Sequence, residues 1–231
     1  MEKQIIFEKF KKGLIVSCQA LKDEPLYGSG IMAKMARAAE MGGAVGIRAN
    51  TVRDIIAIKN TVSLPVIGII KREYKGYEPY ITPTMREVDK LVKTNVDIIA
   101  VDATKNLRPG NVTATEFIKC IKGTYNIILM ADISTYEEAR CAEEAGADII
   151  STTMSGYTSY SLQSNEPDFN LIKRLSKDVN IPVIAEGKIE TPEEARRCLD
   201  EGAFAVVVGA AITRPQIITR RYMDLIQDRV S

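Results

Sequence analysis

The chain has 231 residues, 45% of them hydrophobic, enough for one sizeable core and in the range where a single α/β barrel competes with two smaller domains. A formal charge of +1, with acids and bases interspersed, leaves no basic face or stripe for nucleic acid, and no apolar run is long enough to span a membrane. Histidine is absent, so any acid–base chemistry falls to Lys, Asp, Glu or Tyr, and no metal site is expected.

The start, Met1-Glu2-Lys3-Gln4, lacks the ordered charged and apolar regions of a signal peptide, and a cytoplasmic protein is expected. Cys18, Cys120, Cys141 and Cys198 are widely spaced with no CxxC, as buried reduced thiols would be.

Gln4 to Lys12 places Ile5, Ile6 and Phe10 at near-helical spacing and stops at Gly13, as a short helix capping one end of a core would. Gly13–Ala20 reads as a first buried strand. A loop with Pro25, Gly28 and Gly30 leads to a helix over Ile31–Met41, a strand over Ala44–Asn50 and a helix over Val52–Asn60. Pro65–Lys71 is the third strand. Its β-branched run after a proline fits a strand covered on both faces. The segment Arg72–Pro83, with Tyr74, Tyr77 and Tyr80, is long for a βα connection and reads as a site-covering loop.

The alternation continues with a helix over Thr84–Lys93, a strand over Asp97–Thr104, a helix over Thr113–Lys122 and a strand over Asn126–Asp132. Thr135–Ala145 is a helix and Asp148–Thr153 a strand, followed by a second long loop, Met154–Pro167, with Tyr157 and Tyr160. Asp168–Lys177 (helix), Pro182–Gly187 (strand), Thr191–Glu201 (helix), Ala205–Gly209 (strand) and a helix from Pro215 to the end complete the pattern. Eight strands alternating with helices predict an α/β fold, a TIM (β/α)8 barrel with a short N-terminal capping helix and one catalytic domain over 1–231. A doubly wound open sheet is the rival.

Thr84/Glu87, Thr113/Glu116, Thr135/Glu138 and Thr191/Glu194 are capping-box pairs where helices should start. Ala-Arg followed by Gly-Ala recurs at Arg37/Gly43, Arg140/Gly146 and Arg196/Gly202, each an amphipathic helix closed by glycine.

In a barrel the carboxyl ends of the strands converge. The polar residues there are Gln19, Arg48, Lys71, Asp102, Asp132, Glu186 and the Gly209 region. Lys71 ends an apolar run as either a base of depressed pKa or an interfacial lysine lifting its amine to water. Arg48 would lower that pKa and hold a carbonyl or enolate oxygen, or else form a structural ion pair. Glu186 suits a partner acid or a counter-ion for Lys71. Gln19 and Asp132 suit hydroxyl or amide groups of a polar ligand, or neighbouring backbone, and Asp102 reads as structural. Glycines after the last two strands, Gly187 and Gly209, let backbone amides approach a phosphate, with Arg214 close behind.

Taken together, Gly13-Leu14-Ile15-Val16-Ser17-Cys18-Gln19-Ala20, Gly46-Ile47-Arg48-Ala49, Pro65–Lys71, Ile99–Thr104, Met130-Ala131-Asp132-Ile133-Ser134, Thr152–Thr158, Ile184–Lys188 and Val208–Pro215 resemble the N-acylglucosamine-6-phosphate 2-epimerase family (N-acetylmannosamine-6-phosphate epimerase). The resemblance spans nearly the whole chain. It implies a cofactor-free TIM-barrel isomerase of bacterial sialic acid and amino sugar catabolism, acting on a phosphorylated N-acetyl amino sugar and commonly homodimeric. It further implies Lys71 as the catalytic base with Glu186 beside it. Gln19, Arg48 and Asp132 would contact the sugar, with Gly187, Gly209, Ala210 and Arg214 around the phosphate. Other readings are a phosphate-ester barrel using Lys71 as a Schiff base and a phosphosugar-binding sensor without chemistry.

Overall fold

Ile6 and Phe10 turn one face of the first helix, α1 (Lys3–Phe10), into the protein and are fully buried. In the computed structural model, which describes residues 3–227, this helix closes the amino-terminal end of a barrel of parallel strands. The strands are β1 (Leu14–Cys18), β2 (Gly46–Asn50), β3 (Val66–Ile69), β4 (Ile98–Asp102), β5 (Ile128–Asp132), β6 (Ile149–Ser151), β7 (Val183–Glu186) and β8 (Ala205–Val208). Neighbours pair in chain order and β8 returns to β1, Leu14 lying opposite Val206 and Val16 opposite Val208. That closing pair decides for the TIM barrel over the open sheet.

Helices α2 (Ser29–Met41), α3 (Val52–Lys59), α4 (Met85–Val92), α5 (Ala114–Thr124), α6 (Tyr136–Ala145), α7 (Phe169–Asp178) and α8 (Pro192–Asp200) follow β1 to β7 in turn. After β8 come a four-residue helix that the sequence pattern did not predict, α9 (Ala210–Thr213), and then α10 (Pro215–Ile226). The expected run of the last helix to the chain end falls partly outside the described residues.

Strand residues alternate between two cores. Ile47, Ala49, Ile99, Val101, Leu129 and Ala131 face outward against the helices, while Ile15, Ile67, Ile69, Ala100, Met130, Ile149, Ile184 and Val207 fill the barrel. Stepping two residues further along the inward series gives Ser17, Lys71, Asp102, Asp132, Ser151, Glu186 and Gly209. The interior thus changes from apolar to polar along the barrel axis, and the changeover puts the polar groups at one mouth.

Three of the four expected capping boxes form, at Thr113, Thr135 and Thr191. The fourth does not. Thr84 makes no side-chain bond to the helix backbone; its hydroxyl donates to Glu87 Oε2 at 2.5 Å, and the buried Glu87 carboxylate instead meets Arg72 at 3.2 Å and the Tyr74 hydroxyl at 3.3 Å. Glu87 therefore anchors the segment after β3. That segment is itself folded: Lys71 bridges Ile81 and Tyr74 bridges Tyr77 in antiparallel fashion. The recurrent Gly43, Gly146 and Gly202 all have left-handed φ, of 92°, 103° and 108°. The cysteine expectation needs correction. Cys18 and Cys198 are buried, but Cys120 and Cys141 lie on exposed faces of α5 and α6.

Candidate active site

The mouth of the barrel holds a cavity of about 350 Å³. Gln19, Arg48, Lys71, Glu186, Gly187, Gly209, Ala210 and Arg214 all line it. Strand phase explains the first four, and the β7 and β8 turns supply the rest.

Arg48, only 1% exposed, is the electrostatic centre. Its Nη1 and Nη2 donate to Asp132 Oδ1 and Oδ2 at 3.0 and 2.5 Å, and Nη1 also donates to Glu186 Oε2 at 2.5 Å. The Thr153 hydroxyl sits between the two acids, 2.8 Å from Asp132 Oδ1 and 3.1 Å from Glu186 Oε2. A buried carboxylate pair of this kind needs its cation, and Arg48, with planar forked donors, suits two acids at once. Burial works against the charged guanidinium, but Asp132 and Glu186 hold its pKa above the ordinary value.

Asp132 is fully buried and does not line the cavity; both its oxygens are spent on Arg48, one also on Thr153. Its influence on the cavity is exerted through Arg48, which it holds. Glu186 pairs with Arg48 and not with Lys71, so its counter-ion is the arginine. Burial raises the Glu186 pKa, Arg48 opposes this, and Asp132 raises it further.

Lys71 follows the end of β3, and its backbone N–H donates to Asn50 Oδ1 at 2.9 Å, which fixes the chain where the side chain enters the cavity. Burial, with help from Arg48, brings its pKa from 10.5 down to about 8, against the pull of Glu186. About a tenth of such amines are neutral at pH 7, against fewer than one in a thousand for an ordinary lysine.

Gln19 donates through Nε2 to Ser17 Oγ at 2.9 Å, while its buried Oε1 and the Arg48 Nε have no hydrogen-bond partner among the described residues. Both are polar atoms that a ligand can satisfy. At the other end, Gly187 has φ of 101°, a left-handed backbone that glycine adopts without strain. The first-turn amides of α9, Ala210 and Ala211, have no intrahelical acceptor. Arg214 lies beside them with its Nε 2.7 Å from Glu24 Oε1.

Sequence reasoning did not single out Tyr80, Thr153, Tyr157, Lys188 and Arg221 as ligand contacts, and all five line the cavity. Tyr80 is delivered by the folded segment after β3, and its phenol pKa is raised first by burial and then by Asp132. Asp102 stays structural: Thr104 donates to it from both N and Oγ1, and burial pushes its carboxyl up to about 6. Among the described residues no group of three or more Cys, Asp or Glu is placed to hold a metal ion.

Residues 32–228 match the family described as "Putative N-acetylmannosamine-6-phosphate epimerase" (NanE). Curated relatives bearing the corresponding 2-epimerase name include one from Caldanaerobacter subterraneus subsp. tengcongensis, 60% identical over 97% of this chain and 95% of its own length. Another, from Clostridioides difficile, is 53% identical over 96% of this chain and 99% of its own. Among solved structures, the N-acetylmannosamine-6-phosphate 2-epimerase from Clostridium perfringens superposes with a TM-score of 0.93 at 53% identity, covering 97% of this chain and 98% of that one. A geranylgeranylglyceryl phosphate synthase from Thermoplasma acidophilum, at 19% identity and TM-score 0.61, shares the fold alone. A match of this extent, on a barrel whose mouth gathers the charged residues of the strand ends, means that the chain belongs to the N-acetylmannosamine-6-phosphate epimerase family.

Proposed function

We propose that the protein is an isomerase that interconverts N-acetylmannosamine 6-phosphate and N-acetylglucosamine 6-phosphate by moving the proton at C2, in the catabolism of sialic acid and other amino sugars. The observation that carries this reading is a lysine of pKa about 8 in one cavity with a buried arginine–carboxylate cluster and a second arginine. The family's substrates and the chemistry of the cavity agree.

The C2 proton is acidic only when C1 is a free aldehyde, so ring opening comes first. Neutral Lys71 then takes the proton, the C2–H bond breaks, and the electron pair becomes an enolate with its charge on O1. Arg48 and the new Lys71 ammonium are the fixed positive groups that stabilise it. Return of the proton to the opposite face completes inversion, from Lys71 after the intermediate rotates, from Glu186, or through a substrate hydroxyl. Protons are conserved, and the chemistry requires no redox cofactor.

Gln19 and Arg48 contact the sugar, and Asp132 holds Arg48 in place. Gly187, Gly209, Ala210 and Arg214 seat the phosphate. The working form is a cytoplasmic homodimer of single-domain chains; the exposed apolar residues Tyr222, Leu225 and Ile226 on α10 support the pairing of two copies. No helix among the described residues is long and apolar enough to cross a membrane.

The test is a coupled epimerisation assay on Lys71→Ala. Turnover should fall by roughly three orders of magnitude or more, while phosphosugar binding survives. Retained exchange of C2 deuterium with solvent in that variant would remove Lys71 as the base.

A further inference from the structure

Arg214 does not stand free at the phosphate end. Its Nε is 2.7 Å from Glu24 Oε1, and its Nη2 donates to Glu24 Oε2 at 3.2 Å, so the carboxylate forks one edge of the guanidinium. The pair is largely shielded, with side chains 28% and 16% exposed. Glu24 belongs to the β1–α2 loop, the same loop that opens with Gln19, and it is fixed on two further sides. The Leu21 backbone N–H donates to its Oε2 at 2.6 Å, and Gln216 Nε2 donates to its Oε1 at 3.2 Å.

A carboxylate beside an anion seat has two opposite uses. It can compete with the ligand for the arginine, or it can aim the arginine at the ligand. The anchoring decides between them. A competitor has to leave when the ligand arrives, and this carboxylate is bonded from loop backbone, from Arg214 and from Gln216. The fork also occupies only two of the five guanidinium N–H groups, leaving Nη1 for a second anion. A free arginine side chain would otherwise lose several rotamers on binding, a cost the fork removes in advance.

We propose that Glu24 is a positioning residue for substrate binding: it fixes Arg214 so that the unforked edge of the guanidinium takes the phosphate of the sugar. This rests on the phosphate seat of the proposed function, but it assigns a role to a residue outside that seat. It also ties the β1–α2 loop to the segment after β8, so both ends of the barrel seam serve one contact.

The experiment compares Glu24→Gln in the wild-type background and in Arg214→Lys, where the charge remains but the forked edge is gone. Loss of the aim should raise KM for N-acetylmannosamine 6-phosphate and the dissociation constant for inorganic phosphate about tenfold in the first background, and less than about twofold in the second. The loss falls on KM rather than on kcat, which a general loosening of the barrel would not do. A lowered KM identifies Glu24 as a competitor, and an equal penalty in both backgrounds shows that it acts without Arg214; either result overturns the proposal, as does no change. Calorimetric titration with inorganic phosphate needs no turnover. A wild type that fails to epimerise but shows the phosphate pattern refutes the epimerase reading and keeps Glu24, and active enzyme without the pattern does the reverse.

Discussion

A lysine whose pKa is about 8 leaves a signature in the pH dependence of the reaction. The proposed base, Lys71, is needed neutral, so kcat/KM, which reports the pKa values of the free enzyme, should climb about tenfold per pH unit on the acid side and level off as pH passes about 8. A limb centred near 10.5 instead would place the amine in water. The same depression has a thermodynamic sign. Between about 8 and 10.5 the unfolded chain binds the Lys71 proton and the folded chain does not, so this group favours folding more as pH rises through that window. Lys71, Arg48 and Glu186 were legible in the sequence because each puts a charge into an apolar run, Lys71 and Glu186 at its carboxyl end and Arg48 inside β2. What the run could not reveal is which charge meets which. Glu186 pairs with Arg48 and not with Lys71, and Asp132 sits behind the cavity wall, because partners across a barrel are set by strand phase and not by separation along the chain. Tyr80, Lys188 and Arg221 arrive from loops and a helix whose periodicity says nothing of where they point.

Elements were easier to read than their edges. All eight strands and the helices between them follow from apolar runs, glycine stops and, at four helices, Thr-x-x-Glu starts, yet each strand is shorter than the run that predicts it: β2 and β5 begin later than expected, and after β3 the chain leaves the ladder for the antiparallel bridge between Lys71 and Ile81. The Thr84 box shows the limit of a motif: a buried Glu87 with an arginine and a tyrosine at hand serves those instead of its helix. At the opposite end the fit between α1 and β2 is close. A Cβ at Gly46 would lie 2.5 Å from the Phe10 ring and 3.3 Å from the Pro65 carbonyl. Gly46→Ala should therefore cost about 1–3 kcal/mol in urea unfolding, partly restored by Phe10→Leu, with kcat retained in the folded enzyme because the mouth is untouched. An unchanged stability would mean that α1 yields to the extra methyl, and that the plug is looser than its full burial suggests.

For the molecule as a whole, local patterns could not distinguish a closed barrel from an open sheet, since both bury strands under helices with similar turns. Only the pairing of β1 with β8, between the two ends of the sequence, makes that distinction, together with the polar mouth it creates. The assembly question concerns the surface of α10, where Tyr222, Leu225 and Ile226 are 68%, 82% and 73% exposed and no residue of the helix is fully buried. A helix this apolar on its open side is expected to meet a second copy. Leu225→Asp with Ile226→Asp should then convert the proposed dimer to a monomer in light scattering coupled to size exclusion; a dimeric mass unchanged by the substitutions places the interface elsewhere, and a wild type of monomer mass removes the dimer.

The seam between β1 and β8 also sets an order of events during synthesis. Until the segment around Val206 has left the ribosome, β1 has no partner on that side, and every shorter nascent chain carries two raw sheet edges that can recruit other chains. Barrel closure thus waits for β8. Premature termination before β8 yields a sticky fragment rather than a smaller working protein.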